Sequence, residues 1–369
     1  MLYLGIDQHS KQITVCVRNE DGQTVLRRQV STRPEKVEAF FDELTEEDPS
    51  FMAILEVCGF NDWLIAKLQE RQCQEIVLIH PDKTTKKKTD RRDANKLCEM
   101  LWLNRQRLAE GKRVQGLRRV WIASQQDKED RQLTGLRKRL SQRKTQALNR
   151  IHNILHRHNI MWDYPTKTFQ TKRGRQWLAT VSLPDIDRME LDMLLAQWKL
   201  WDEQLAQLDE QIVARVQQTE PGQIMSKPQL LMTAPGVSFF SALTIVCHIG
   251  DIRRFPSPRS LANYFGLTPS CRNSGVSNHR LGSITKEGSA IVRFILGQLV
   301  LHVLKRDSRM RAWYQRIKKR RGSKIARVAV MRKLVTIFWH MLTHHQPYQC
   351  NREHLDSGSA KGTEGRCAA

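Results

Sequence analysis

Asp90 and Asp93 stand three residues apart in Thr89-Asp-Arg-Arg-Asp-Ala-Asn-Lys-Leu97, where a helical pattern follows a strand-like run. At that spacing two carboxylates share one helix face. Lys86, Lys87, Lys88, Arg91 and Arg92 surround them, a basic setting that also attracts a phosphate backbone. Acids held among cations suit metal-dependent phosphodiester chemistry. They equally suit solvated ion pairs on an exposed helix, which are common and contribute little. The choice depends on what other acids the fold brings to them.

Two further carboxylates qualify. Asp7 ends the β-prone run Leu-Tyr-Leu-Gly-Ile-Asp, and Glu56 ends the apolar run Met-Ala-Ile-Leu-Glu. A carboxylate at the end of a buried strand is costly unless it is paired or binds a metal. Oxygen-only ligands suit Mg²⁺ or Mn²⁺. Two such ions can activate an attacking oxygen and stabilise a leaving one.

The elements that must position these acids follow from hydrophobic period and turn chemistry. Residues 2–7, 12–18 and 24–30 read as a three-strand meander with a turn at Asn19-Glu-Asp-Gly22. Helical spacing over Pro34–Leu44, a strand at Met52–Val57, a helix over Asn61–Gln72 capped by Asn61, and a strand at Glu75–Ile79 complete the pattern. This β-β-β-α-β-α-β-α order is that of a ribonuclease-H-like α/β domain, here 1–110. Its acids lie on the first strand, near the end of the fourth and on the last helix.

The 369 residues carry 61 Lys plus Arg against 38 Asp plus Glu, a net charge of +23. A polyanion is the expected partner, nucleic acid before membrane, because no apolar run reaches the roughly 18–20 residues of a spanning helix. Eight cysteines without a Cys-x-x-Cys pair and no signal-peptide pattern point to reduced thiols in a cytoplasmic, nucleoid-associated protein.

A helical coiled-coil arm is expected over 111–220. Leu133, Leu136, Leu140, Ala147, Ile151 and Ile154 keep a heptad-like step, a break follows at Trp162–Gly174, and Leu191, Leu194, Trp198, Trp201, Leu205, Leu208 and Ile212 form an a/d seam. The simplest arrangement is an antiparallel hairpin, closing on itself or pairing with another subunit. The basic face of its first helix, with Arg137, Arg143 and Lys144, is a candidate phosphate contact. A mostly α C-terminal domain is expected over 221–346. There an Ala-Pro-Gly-Val turn at 234–237 between two helices is similar to a helix-hairpin-helix, with Gly236 as a phosphate contact. The basic run Lys318, Lys319, Arg320 and Arg321 reads as a further nucleic-acid contact. The tail, 347–369, is polar and is expected to be disordered.

Gly5-Ile-Asp7, Thr89-Asp-Arg-Arg-Asp93, Phe255-Pro-Ser through Gly266-Leu-Thr-Pro269, and Ser274-Gly275 together resemble the DEDD transposases of insertion sequences related to Piv-type DNA invertases. That family is regarded as RNA-guided bridge recombinases. The resemblance covers most of residues 2–300 and implies a RuvC-like domain in which Asp7, Glu56, Asp90 and Asp93 bind Mg²⁺. It implies Ser274 as the nucleophile of a transient phosphoserine link to DNA, with Lys286 and Arg293 at basic positions of the same motif. Double-stranded donor and target DNA, a structured noncoding guide RNA, and a dimer or tetramer are the partners it implies. Glu287 departs from the pattern, in which a second basic residue often follows the lysine. Two other functions fit parts of the chain: a RuvC-like junction nuclease using water, which has no use for Ser274, and a non-enzymatic basic coiled-coil protein.

Overall fold

The computed structural model of the chain describes residues 1–47, 50–80, 90–112, 114, 116–219, 221–271 and 281–349, with 47, 90, 91, 271 and 281 described by backbone alone. Ser274, Gly275, Lys86, Lys87 and Lys88 lie outside the described residues, as does the tail from residue 350. The chain divides into two compact units, Met1–Ile122 and Ala123–Ala369.

The first unit is a mixed α/β sheet. Its strands are β1 (Leu2–Gln8), β2 (Gln12–Arg18), β3 (Thr24–Ser31), β4 (Phe51–Glu56), β5 (Glu75–Ile79) and β6 (Arg119–Val120), in the order β3-β2-β1-β4-β5-β6. The first three form the expected antiparallel meander, and β4 and β5 run parallel to β1. The two-residue strand β6 adds antiparallel to β5 and is too short to leave a period in the sequence. The central strands are almost wholly apolar because helices cover both faces. On one face Leu4, Ile6, Ala53 and Leu55 pack with Val37, Phe40 and Phe41 of α1 (Pro34–Glu47) and Leu64 and Leu68 of α2 (Asp62–Glu70). On the other, Tyr3, Met52, Ile54, Val77 and Ile79 meet Leu97 and Leu101 of α3 (Asp90–Ala109).

In the second unit α4 (Gln125–Arg157), capped by the Ser124 hydroxyl, and α6 (Asp185–Gln217) close on each other as an antiparallel hairpin. Rising positions on α4 pair with falling ones on α6: Arg137 with Asp209 at 2.8 Å, Lys144 with Asp202 at 2.5 Å, Arg150 with Glu190 at 2.5 Å and Arg157 with Asp187 at 2.5 Å. Ile151, Ile154, Leu155, Leu191 and Trp198 form its core. Leu136, expected in the seam, is exposed. The expected break at Trp162–Gly174 ends in a short helix, α5 (Lys172–Thr180), started by the Thr171 hydroxyl accepting from Gly174 N.

The remainder is α7 (Lys227–Met232), α8 (Phe239–Ile249), α9 (Pro258–Tyr264), a hairpin of β7 (Pro269–Cys271) and β8 (Leu281–Ile284), α10 (Ala290–Arg306), α11 (Ser308–Arg321) and α12 (Ser323–His344). They surround one core containing Leu231, Leu261, Phe265, Leu296, Val330 and Phe338. The helical hairpin packs on α8, where Arg131 Nε donates to the Cys247 carbonyl at 2.8 Å. Gly322, at φ +82°, separates α11 from α12. The apolar helix starts at Ser323. Tyr348, in the tail expected to be disordered, is anchored: its N–H donates to Thr233 Oγ1 at 2.8 Å and its hydroxyl to Asp307 Oδ2 at 2.9 Å. No helix among the described residues is long and apolar enough to cross a membrane.

Candidate active site and nucleic-acid interface

The parallel register of β1 and β4 aligns Leu2 with Phe51 and Ile6 with Leu55. Asp7 and Glu56 are the next residues on each strand, so they are neighbours at the same end of the sheet. Strand alternation directs both to the face that carries Tyr3, Met52 and Ile54. Both are half-buried. That face is the one covered by α3.

α3 meets β1 with almost no clearance. A Cβ on Gly5 would lie 2.3 Å from the Ala94 carbonyl oxygen and 2.3 Å from Cys98 N, so no side chain fits there. Cys98 Sγ donates to the Tyr3 carbonyl at 3.0 Å. Four helical residues rise about 6 Å and two strand residues about 6.6 Å, so one turn of α3 matches two residues of β1. Residue 98 lies over Tyr3 and residue 94 over Gly5. By the same step residue 90 comes to the level of Asp7, and half-buried Asp93 flanks the same stripe.

A buried polar cluster fixes the ends of β1 and β4. Asn61, expected as a side-chain cap of α2, makes no cap bond. Its Oδ1 accepts from Cys58 N at 2.5 Å, and its Nδ2 donates to Gln8 Oε1 at 2.8 Å and to the Glu56 carbonyl at 3.1 Å. Gln8 Nε2 donates to the Phe60 carbonyl at 3.0 Å. The loop after Glu56 is thereby tied to the residue after Asp7. Asn61 competes better for these buried partners than for the exposed first turn of α2. His9 Nε2 lies 3.1 Å from Asp7 Oδ2. Neither Gln8 nor His9 was legible as a site residue, because their partners are distant in sequence or set by the turn between β1 and β2.

Beside this face a cavity of about 420 Å³ is lined by Thr14, Cys16, Arg27, Arg92 and Asn95. Arg27 Nη2 donates to Asn95 Oδ1 at 3.2 Å, and Arg92 is exposed. Among the described residues no three His, Cys, Asp or Glu side chains are grouped to hold a metal; the side chain of Asp90 is not one of them. The donors that do adjoin, two carboxylates on neighbouring strands, are the hard oxygen ligands that Mg²⁺ or Mn²⁺ takes.

The remaining basic candidates differ in their surroundings. Arg137 and Lys144 are paired to α6, Arg137 also lying 4.7 Å over the Phe240 ring, whereas Arg143 is exposed. Gly236, at φ +83°, sits where a Cβ would come 2.3 Å from the His302 side chain, so close packing on α10 requires it. Arg293 Nη1 donates to the carbonyls of Phe265, Glu287 and Gly288 at 3.2, 2.8 and 3.1 Å. It thus fastens the Lys286–Gly288 loop to the end of α9, and burial lowers its pKa. Lys286 takes a left-handed backbone at φ +57°. This fastened loop follows β8; the hairpin partner β7 ends at Cys271, and the segment with Ser274 lies between them in sequence. Lys318, Lys319, Arg320 and Arg321 are exposed in the last turn of α11.

Residues 4–160 match a DEDD transposase family model, and residues 228–315 match the model described as the transposase IS116/IS110/IS902 family. The chain is 26% identical to the transposase for insertion sequence element IS1111A of Coxiella burnetii, over 94% of this chain and 91% of that protein. It is 30% identical over 152 residues to the pilin gene-inverting proteins of Moraxella bovis and Moraxella lacunata, covering 40% of this chain and 46% of each of theirs. The chain is thus a DNA transposase or recombinase. It belongs to the IS110/IS116 family of DEDD transposases.

Proposed function

We propose that the enzyme cleaves and exchanges DNA strands of an insertion sequence through a transient phosphoserine at Ser274, in a reaction that needs Mg²⁺ or Mn²⁺. The N-terminal sheet is read as ribonuclease-H-like, on its mixed strand order. The observation that carries the proposal is the adjacency of Asp7 and Glu56 at one end of the sheet, on the face that α3 covers. Asp7, Glu56, Asp90 and Asp93 would hold the metal, which supplies charge stabilisation to the in-line displacement and lowers the pKa of the attacking hydroxyl.

In the first step the Ser274 oxygen bonds to phosphorus and one of the two ester oxygens leaves. The serine loses a proton and the leaving strand gains one as a free hydroxyl. In the second step a hydroxyl of the exchanged strand attacks the phosphoserine and releases the serine. Phosphodiester bonds are conserved, so no nucleotide cofactor is consumed. Arg293 fastens the Lys286–Gly288 loop that follows the Ser274 segment in sequence, and the exposed cations of α11, with Arg92 and Arg143, supply phosphate contacts.

A structured noncoding RNA is proposed as the guide, so that base pairing rather than side chains selects the site. A homo-oligomer, dimer or tetramer, is supported by a second apolar stripe on α6. Ile186, Met189, Met193 and Leu200, at steps of three, four and seven, are 71, 51, 57 and 50% exposed. Purified protein, RNA, Mg²⁺ and labelled donor and target DNA should give label on the denatured chain. That band disappears in Ser274→Ala and, with DNA binding retained, in Asp7→Asn. Cleavage without a band, still dependent on Asp7, would replace the serine by water.

A further inference from the structure

An open groove of about 670 Å³ lies between α11, α12 and the segment Gln346–Gln349. It lies within the roughly 300–1,000 Å³ of small-ligand pockets. Met310 and Met341, both buried, and half-buried Ile337 supply apolar lining. Trp313 and Tyr348 line it as aromatic groups, and exposed Arg309, Arg316 and Lys333 give it positive charge. The one acid among the described lining residues, Asp307, already serves two neighbours: Oδ1 accepts from Met310 N at 2.8 Å and Oδ2 from the Tyr348 hydroxyl at 2.9 Å. It caps α11 and pins the segment at the edge of the pocket, and one carboxylate against three cations leaves the lining with a net positive charge.

A ligand matched to this site has a flat apolar body and an anionic edge. We infer that the groove binds an unpaired base of single-stranded nucleic acid, stacked on Trp313, with flanking phosphates on Arg309, Arg316 and Lys333. Arg309, Trp313, Arg316 and Arg320 follow steps of four, three and four, so they form one stripe of α11 about 16 Å long. One aromatic flanked by cations along a stripe offers a stacking face between phosphate contacts, as single-strand sites do. A duplex offers phosphates to such a stripe but keeps its bases stacked inside, so Trp313 contributes nothing to duplex binding. The inference stands on this pocket and is independent of the serine and acid chemistry proposed above.

Fluorescence anisotropy of the full chain with labelled oligouridine, oligothymidine and a duplex tests it. Stacking is worth about 1–3 kcal/mol per base, so Trp313→Ala should weaken single-strand binding about 5- to 150-fold. Trp313→Phe should restore most of the affinity, and duplex binding should change by less than about twofold. Preference for oligouridine or for oligothymidine identifies the strand as RNA or DNA, and either supports the site. Equal loss for single strand and duplex, or no loss, overturns it. Should Trp313→Ala fail to fold, photocrosslinking of the wild-type chain to 5-bromouracil-containing strands decides the matter. Adducts on the peptides holding Trp313 or Tyr348 support the pocket, and adducts elsewhere alone overturn it.

Discussion

Asn61 illustrates how one buried amide controls two carboxylates it does not resemble chemically. It is 6% exposed and bonds the Cys58 N–H, the Gln8 side chain and the Glu56 carbonyl. A buried polar group left unpaired costs about 1–3 kcal/mol. Asn61→Ala orphans the Cys58 N–H and leaves Gln8 Oε1 only the weak Cys58 thiol donor at 3.7 Å, so a loss of about 2–3 kcal/mol is expected in urea unfolding. Strand cleavage should fall further than stability does, because the loop after Glu56 loses its tie to β1. Full activity at temperatures where the variant is folded would assign Asn61 to stability alone. His248 gives a pH prediction. Burial is the larger cause and Arg131 the smaller one pushing its pKa down to about 4. An unfolded histidine titrates near about 6.5. Above that pH both states are neutral and nothing is lost. As pH falls from about 6.5 towards about 4, the unfolded chain takes up a proton that the folded chain refuses, and stability declines by up to about 3 kcal/mol. In His248→Gln this part of the decline should be absent when unfolding is followed between those pH values.

At the scale of elements, what was legible in the sequence is what local period and turn chemistry determine. β1 to β5 and α1 to α3 each carry their own pattern, and an acid ending an apolar run marked Asp7 and Glu56 before any contact was known. What was not legible depends on partners far along the chain. The cations of α4 read as an outward face, yet Arg137, Lys144, Arg150 and Arg157 are drawn to acids spaced to match them on α6. α5 lies in Thr- and Lys-rich sequence and owes its start to a cap from Thr171. Gly5 read as part of a motif; the backbone of α3 resting against it supplies the physical reason. The outer stripe of α6 makes the element-scale prediction. Ile186→Glu with Met193→Glu adds charge where an apolar partner surface is proposed and touches no buried core. Sedimentation should show the oligomer reduced to monomers, with the thermal midpoint of the monomer nearly unchanged. An unaltered sedimentation coefficient would remove the stripe from the interface.

Across the whole molecule a net charge of +23 does not act as a uniform cloud, because cations differ in what already neutralises them. Those of α4 that face α6 have carboxylates within 2.5–2.8 Å and displace few counterions from DNA. Lys318, Lys319, Arg320 and Arg321 are exposed at the C-terminal end of α11. There they also complement the helix dipole, worth about 0.3–1 kcal/mol each at most. Each phosphate neutralised steepens the fall of log affinity with log salt by about 0.9. Replacing all four by Gln should therefore flatten the slope for duplex DNA by up to about 3–4, with a fall in melting temperature no larger than the lost dipole contacts account for. Arg150→Gln with Arg157→Gln should hardly alter the slope, but should loosen the hairpin. Titrations of duplex binding across a salt series distinguish the two sets. A wild-type slope for the α11 variant with a flattened slope for the α4 variant would mean that the ion pairs of the hairpin open on DNA, making α4 and not α11 the phosphate-binding surface.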